Sequence, residues 1–174
     1  MCFVLASYLP KESTVRMSMS VLFVCLGNIC RSPLVAAVAR SRFAGAGLSV
    51  TVDSCGTGGW HVDRGADPRS IEVAEAAGYR LREHRARQLQ VDDFERFDWL
   101  LAMDDDNLGV LHQRCPAEQS GRVRLFLAAA DIATPRSVPD PYYGELEDFE
   151  LVLRLAEQGV DGLVDRLRAG PASN

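Results

Sequence analysis

The sequence predicts a single α/β domain built on a four-stranded parallel sheet, doubly wound, with helices on both faces. Three observations predict it. Four short apolar runs, VLFV (21–24), SVTVDS (49–54), DWLLAM (98–103) and VRLFL (123–127), are bounded by turn residues and are nearly continuous in hydrophobicity, as strands buried on both faces are. Segments of helical periodicity separate them, and right-handed crossovers turn that alternation into a parallel sheet. The 174 residues, 47% hydrophobic and 25% charged, supply one core of ordinary size.

The elements follow in chain order. After VLFV, Ser32 can cap and Pro33 can open a helix running to about Phe43. After the second run, Pro68 opens PRSIEVAEAAGY, which stops near Gly78. Asp104 caps a third helix through DDNLGVLHQRC. In the last helix Phe149, Val152, Leu153, Ala156, Val160, Leu163, Val164 and Leu167 step by three and four into one apolar face, which Gly159 and Gly162 weaken locally. The domain is expected over residues 20–170. Residues 1–19 read as a poorly ordered leader or a mis-assigned start, with Met17 or Met19 as alternative initiators. Pro10 interrupts their apolar run, which is too short for a membrane span and lacks a basic start.

Charge and cysteine content narrow the function. A net charge of -5 argues against broad affinity for nucleic acid or anionic lipid, so any anion site must be local. Five cysteines (Cys2, Cys25, Cys30, Cys55 and Cys115) lack the paired spacings of a zinc site and the density of a disulfide scaffold, which points to a reducing, cytoplasmic setting. The run Asp104 to Asp106 sits at a helix start, where carboxylates more commonly cap than bind metal. No metal and no cofactor are expected.

The chemistry concentrates in VLFVCLGNICRSP, residues 21–33. Where a strand feeds a helix, the unpaired N–H groups of the loop (Leu26, Gly27, Asn28, Ile29, Cys30) and of the helix start form an anion cradle. Gly27 permits positive φ and close approach, and Asn28 tolerates left-handed geometry. A thiol at such a helix start, beside a cation, has its pKa drawn from about 8.5 down to as low as ~3.5–7.5, so Cys25 is the expected nucleophile. Arg31 can grip two phosphoryl oxygens with its planar fork, and Ser32 can donate a hydrogen bond to the sulfur. In VPDPYYG (138–144), Asp140 between two prolines is the expected proton donor to a leaving oxygen, with Tyr142 and Tyr143 walling a slot for an aromatic ring.

CLGNICRSP together with DPYYG resembles the low-molecular-weight protein tyrosine phosphatases, and VDSCGTGGWHV (52–62), EHRARQL (83–89) and FDWLLAMDDDNL (97–108) match family segments in order. The resemblance runs from about Val21 to the final helix. It implies hydrolysis of phosphotyrosine monoesters through a phosphocysteine, with Cys25 as nucleophile, Arg31 as phosphate clamp and Asp140 as acid, then base. It also implies that Asn28 holds the loop through Ser32, Ser54 and His84, and that Trp60, Tyr142 and Tyr143 surround the substrate ring. Trp60, between Gly59 and His61, is expected to be partly exposed; His61 and His112 are expected to be incidental. Cys30 reads either as a small packed residue or as a redox partner for oxidised Cys25. Cys55, standing where the family has a small residue, and Cys115 read as ordinary thiols.

The rivals are an arsenate reductase of the same fold, a phosphoarginine phosphatase and a non-catalytic phosphate-binding module. The first needs further relay cysteines, the second typically carries threonine where Ile29 stands, and the third has no need of nucleophile, clamp and acid together. The expected partner is a tyrosine-phosphorylated protein. Lys11 is the single lysine against eighteen arginines, a composition suggesting a GC-rich bacterial genome, in which a cognate tyrosine kinase is a reasonable partner.

Overall fold

The computed structural model describes residues 19–170. Its first strand, β1 (Met19–Cys25), is followed by α1 (Arg31–Gly45), β2 (Val50–Gly56), α2 (Pro68–Ala76), α3 (Asp93–Arg96), β3 (Trp99–Ala102) and α4 (Asp105–Arg114). A 3-10 turn (Ala117–Arg122), β4 (Val123–Leu125), α5 (Phe126–Ala129) and α6 (Leu146–Ala169) complete the chain. The four strands are parallel, in the order β2-β1-β3-β4. Met19, assigned above to the leader, is the first residue of β1; the rest of that expectation lies outside the described residues.

Strand β1 is central, and its successive side chains feed two separate cores. Val21 and Phe23 pack with α1 and α6, where Phe126 meets Phe23 edge-on at 5.4 Å. Leu22 and Val24 face the other way, among Phe94 of α3 and Leu111 of α4. The chain winds from β1 to β2 on one side and then returns to β3 on the other. The carboxyl end of β1, which is Cys25, therefore sits at the switch point where such sheets bind ligands.

Several boundaries depart from the sequence reading for physical reasons. Helix α1 begins at Arg31 with Cys30 at its N-cap position and no side-chain cap, because the Ser32 hydroxyl is directed at Cys25 instead. Strand β2 runs on to Gly56, whose partner in the ladder is Cys25. The run at 123–127 is shorter as a strand, since Phe126 opens α5 and packs against α6. A Cβ on Gly159 would lie 2.3 Å from Cζ of Phe126, and one on Gly162 would lie 2.4 Å from the Ala130 carbonyl. Both glycines are thus required by close packing, and Gly159 belongs to the buried face of α6. Leu155 is also buried there, whereas Leu153 and Leu167 are half-buried.

Other local expectations agree. Pro68 opens α2, with Asp67, not singled out above, as its cap; Gly78 takes φ 85° just beyond that helix, and Asp104 caps α4 by accepting from the Asn107 amide at 2.7 Å. No helix among the described residues is long and apolar enough to cross a membrane.

Candidate active site

Cys25 ends β1, and α1 begins at Arg31 after five intervening residues, so the loop between them is held from both sides. Its far wall is the end of β2: Thr57 and Gly58 donate to the carbonyls of Cys25 and Leu26, both at 2.9 Å. A Cβ on Gly56 would stand 2.8 Å from the Leu26 carbonyl, so this approach admits only glycine. The sequence reading overlooked Gly56. Within the loop Asn28 adopts φ 55°, whereas Gly27 is not among the residues of positive φ. The left-handed turn expected at Gly27 is therefore carried by Asn28 alone. Close approach at Gly27 does hold, since a Cβ there would meet Cδ2 of His61 at 2.9 Å.

Asn28 is fully buried, and each of its polar groups is engaged. Its Nδ2 donates to Ser32 Oγ at 2.9 Å and to Ser54 Oγ at 3.0 Å; its Oδ1 accepts from the Arg87 amide at 2.9 Å. Its own amide points at Cys25 Sγ, 3.2 Å away, and its carbonyl faces His84 Nε2 at 2.8 Å. A carbonyl only accepts, so Nε2 carries the proton. Burial holds the His84 pKa below its ordinary value, partly opposed by that hydrogen bond. Because Ser32 Oγ accepts from Asn28, its single proton is free for Cys25 Sγ at 3.0 Å, with the Cys55 carbonyl farther off at 3.3 Å. Ser32, Ser54 and His84 thus all hydrogen-bond Asn28, and Arg87 joins them through its backbone.

Arg31 is 3% exposed and lies between two carboxylates. Its Nη1 donates to Asp104 Oδ2 at 2.5 Å and to the Val138 carbonyl at 3.1 Å, while Nη2 donates to Asp140 Oδ2 at 2.6 Å. Burial opposes the charge of Arg31, yet Cys25, Asp140 and Asp104 together raise its pKa. Asp104 was read as a cap alone; it also orients this guanidinium. The available signal was its place immediately beyond β3. Asp105, next in the acidic run, pairs instead with Arg136 at 2.8 Å.

These groups open into a cavity of about 380 Å³. Cys25, Arg31 and the loop form its floor, Asp140 stands at its side, and Ile29, Trp60, Tyr142 and Tyr143 line its walls. Tyr142 and Tyr143 pack edge-on at 4.9 Å. Trp60 is 74% exposed, more open than a partly exposed residue. His61, expected to be incidental, lines the cavity with its ring 6.3 Å from that of Tyr142. Cys30 is buried in the core cluster yet also lines the cavity, and burial first of all pushes its thiol pKa well up. Cys55 is buried on the opposite side of the sheet, likewise with a raised pKa, and Cys115 is half-buried outside the site.

Comparison with known proteins places this geometry in context. The family model for the low molecular weight phosphotyrosine protein phosphatase matches residues 20–172. A low molecular weight phosphotyrosine protein phosphatase from Schizosaccharomyces pombe is 44% identical over 135 residues, covering 76% of this chain and 86% of that protein. A low molecular weight protein-tyrosine-phosphatase from Streptomyces coelicolor is 44% identical over 161 residues, 87% and 95% of the two chains. A crystal structure of a protein tyrosine phosphatase from Entamoeba histolytica, with Hepes in its active site, matches with a TM-score of 0.84 at 35% identity, covering 88% of this chain and 99% of that one. With the match extending through every described strand and helix, the chain belongs to the low molecular weight phosphotyrosine protein phosphatase family.

Proposed function

We propose that the protein hydrolyses phosphotyrosine monoesters through a phosphocysteine intermediate. One observation carries the reading: Cys25 Sγ, the Arg31 guanidinium and the Asp140 carboxylate meet in a single cavity walled by Trp60, Tyr142 and Tyr143 together with Ile29. The Cys25 thiolate attacks phosphorus in line. As the bond to the tyrosyl oxygen breaks, protonated Asp140 delivers its proton to that oxygen. Loop amides and Arg31 hold the equatorial oxygens, where charge is spread in the transition state. Asp140, now a carboxylate, takes a proton from water as that water attacks phosphorus. The P–S bond breaks, and the Ser32 hydroxyl steadies the departing sulfur.

The cavity walls fit an aryl ring better than a short alkyl phosphate, which supports a tyrosine-phosphorylated protein as substrate. The activity is assigned to residues 20–170. A cognate tyrosine kinase as partner rests on the arginine-rich composition, and a cytoplasmic setting rests on the four free thiols among the described residues. Cys30, in the wall of the same cavity, is the candidate to condense with a peroxide-oxidised Cys25 sulfenic acid, giving a disulfide and water.

The test is phosphate release from an aryl phosphate in the presence of chelator. Wild type should be active and Cys25→Ser inactive. Asp140→Ala should be slower by roughly 10²- to 10⁴-fold, or about 3–5 kcal/mol of barrier. Full activity in Cys25→Ser refutes the nucleophile. A wild type that binds phosphate without turnover makes the site a binding module, and preference for phosphoarginine reassigns the substrate.

A further inference from the structure

Arg69 lies in the first turn of α2, outside the cavity wall, yet its guanidinium joins the two halves of the site. On one side is Asp67, whose amide donates to the Ile29 carbonyl of the phosphate-binding loop at 2.8 Å. The Asp67 carboxylate takes the fork of Arg69: Nε donates to Oδ1 at 3.0 Å and Nη2 to Oδ2 at 2.9 Å. On the other side Nη1 donates to the Gly144 carbonyl at 2.8 Å and Nη2 to the Tyr142 carbonyl at 3.1 Å. Below, the Phe149 ring of α6 packs 4.3 Å from Cζ.

The segment that Arg69 grips is the one carrying Asp140. It has no strand partner; its upstream end is fixed where the Val138 amide donates to the Met103 carbonyl at 2.8 Å. Asp140, Tyr142 and Tyr143 are all exposed. The Tyr142 amide in turn donates to Asp140 Oδ1 at 3.2 Å, so fixing the backbone on both sides of the Tyr142 Cα also holds the carboxylate. We propose that Arg69 is a positioning residue for proton transfer: through Asp67 it locks the Tyr142 and Gly144 carbonyls to the phosphate-binding loop, keeping Asp140 in register with Cys25. The inference rests on Asp140 being the general acid. A fork is needed, because one group must satisfy a carboxylate and two carbonyls in fixed directions, which a lysine ammonium cannot do.

The test is kcat/KM for a series of aryl phosphates whose leaving phenols differ in acidity, measured on wild type, Arg69→Ala, Arg69→Lys, Asp140→Ala and the Arg69→Ala/Asp140→Ala double variant, with thermal melts on each. A misplaced acid costs most where the leaving oxygen most needs a proton. Arg69→Ala should lose about 10- to 100-fold on phosphotyrosine and far less on electron-poor phenyl phosphates. The double variant should be no slower than Asp140→Ala alone, and Arg69→Lys should fall in between. An equal loss on all substrates, or losses that multiply in the double variant, would reduce Arg69 to a structural residue and overturn the proposal. If Arg69→Ala does not fold, Arg69→Gln makes the same comparison under the same criteria. An Asp140→Ala protein with the leaving-group dependence of wild type overturns the acid assignment itself, an outcome distinct from failure at Arg69.

Discussion

Asp104 Oδ2 stands 2.5 Å from Nη1 of Arg31, joining the residue just past β3 to the first residue of α1. The contact exists because β3 lies beside β1 in the sheet. Arg31 is buried, and with Asp104 neutralised its remaining carboxylate partner is Asp140, the proposed acid. Asn is as good an N-cap as Asp, so Asp104→Asn keeps the cap on α4 and removes only the charge. A charge-assisted hydrogen bond is worth about 1.5–3 kcal/mol, which predicts a lower Tm and, through the less firmly held guanidinium, a loss of roughly 10- to 100-fold in kcat/KM. Asp104→Ala should show the same kinetic loss plus a further loss of about 1 kcal/mol of stability. Steady-state kinetics and thermal melts on the pair decide it; unaltered kinetics in Asp104→Asn would show that the contact does not orient Arg31.

Ser32 and Ser54 both accept from Asn28 Nδ2, but only Ser32 reaches Cys25 Sγ. The two alanine variants separate loop support from help to the sulfur. Each should lose about 0.5–1.5 kcal/mol of stability. Only Ser32→Ala should slow the step in which sulfur leaves phosphorus, so that its phosphoenzyme accumulates and p-nitrophenyl phosphate gives a burst of phenol before a slower steady state. Rapid-mixing kinetics check this, and matching behaviour of the two variants would count against the role given to Ser32.

What the sequence made legible follows the range of each interaction. Cys25, Asn28 and Arg31 lie within seven residues, so the loop could be read from spacing and from the backbone tolerance of Asn28. Asp140 stood out through its flanking prolines. The Asp104–Arg31 pair, the Arg87 amide on Asn28 and the need for glycine at position 56 depend on which strands are neighbours, and no local pattern encodes that order. Ser32 before Pro33 carries the local mark of a cap, but a tertiary partner, Cys25, claims its hydroxyl. Helices α3 and α5, four residues each, are too short to display a helical period.

Gly159 offers a test in which helix propensity and packing oppose each other. Alanine in a helix interior gains about 1 kcal/mol over glycine, yet its Cβ here would fall 2.3 Å from the Phe126 ring, a buried side chain with no room to retreat. Overpacking costs typically 1–3 kcal/mol, so Gly159→Ala should be destabilised, with Tm lower by roughly 2–4 °C per kcal/mol. Its kcat at a temperature where it is folded should match wild type, since α6 approaches the Asp140 segment at its other end, where Phe149 packs beneath Arg69. A rise in Tm would show that the ring yields.

His84 sets the direction of the acid response. Burial keeps its folded-state pKa below the ordinary 6.5, so the unfolded chain takes up the proton first as pH falls. Stability from this group is complete above about 6.5 and declines as pH drops from there toward the lower folded-state value. Asp67 has its pKa lowered, since the hydrogen bonds from Arg69 outweigh the opposing effect of burial; its contribution is lost at more acid pH, below its ordinary 3.8. The two windows are therefore separable. Urea unfolding from pH 7.5 to 5 should give falling stability in wild type and a flatter profile in His84→Gln, whose side-chain amide can still donate to the Asn28 carbonyl. His61 and His112 are common to both proteins and cancel in the comparison. Parallel profiles would mean that His84 is as easily protonated folded as unfolded. Because Nε2 carries a proton in both charge states of the ring, acidification should lower stability before it changes the shape of the Cys25 loop, and kcat measured on the remaining folded fraction should not follow the His84 titration.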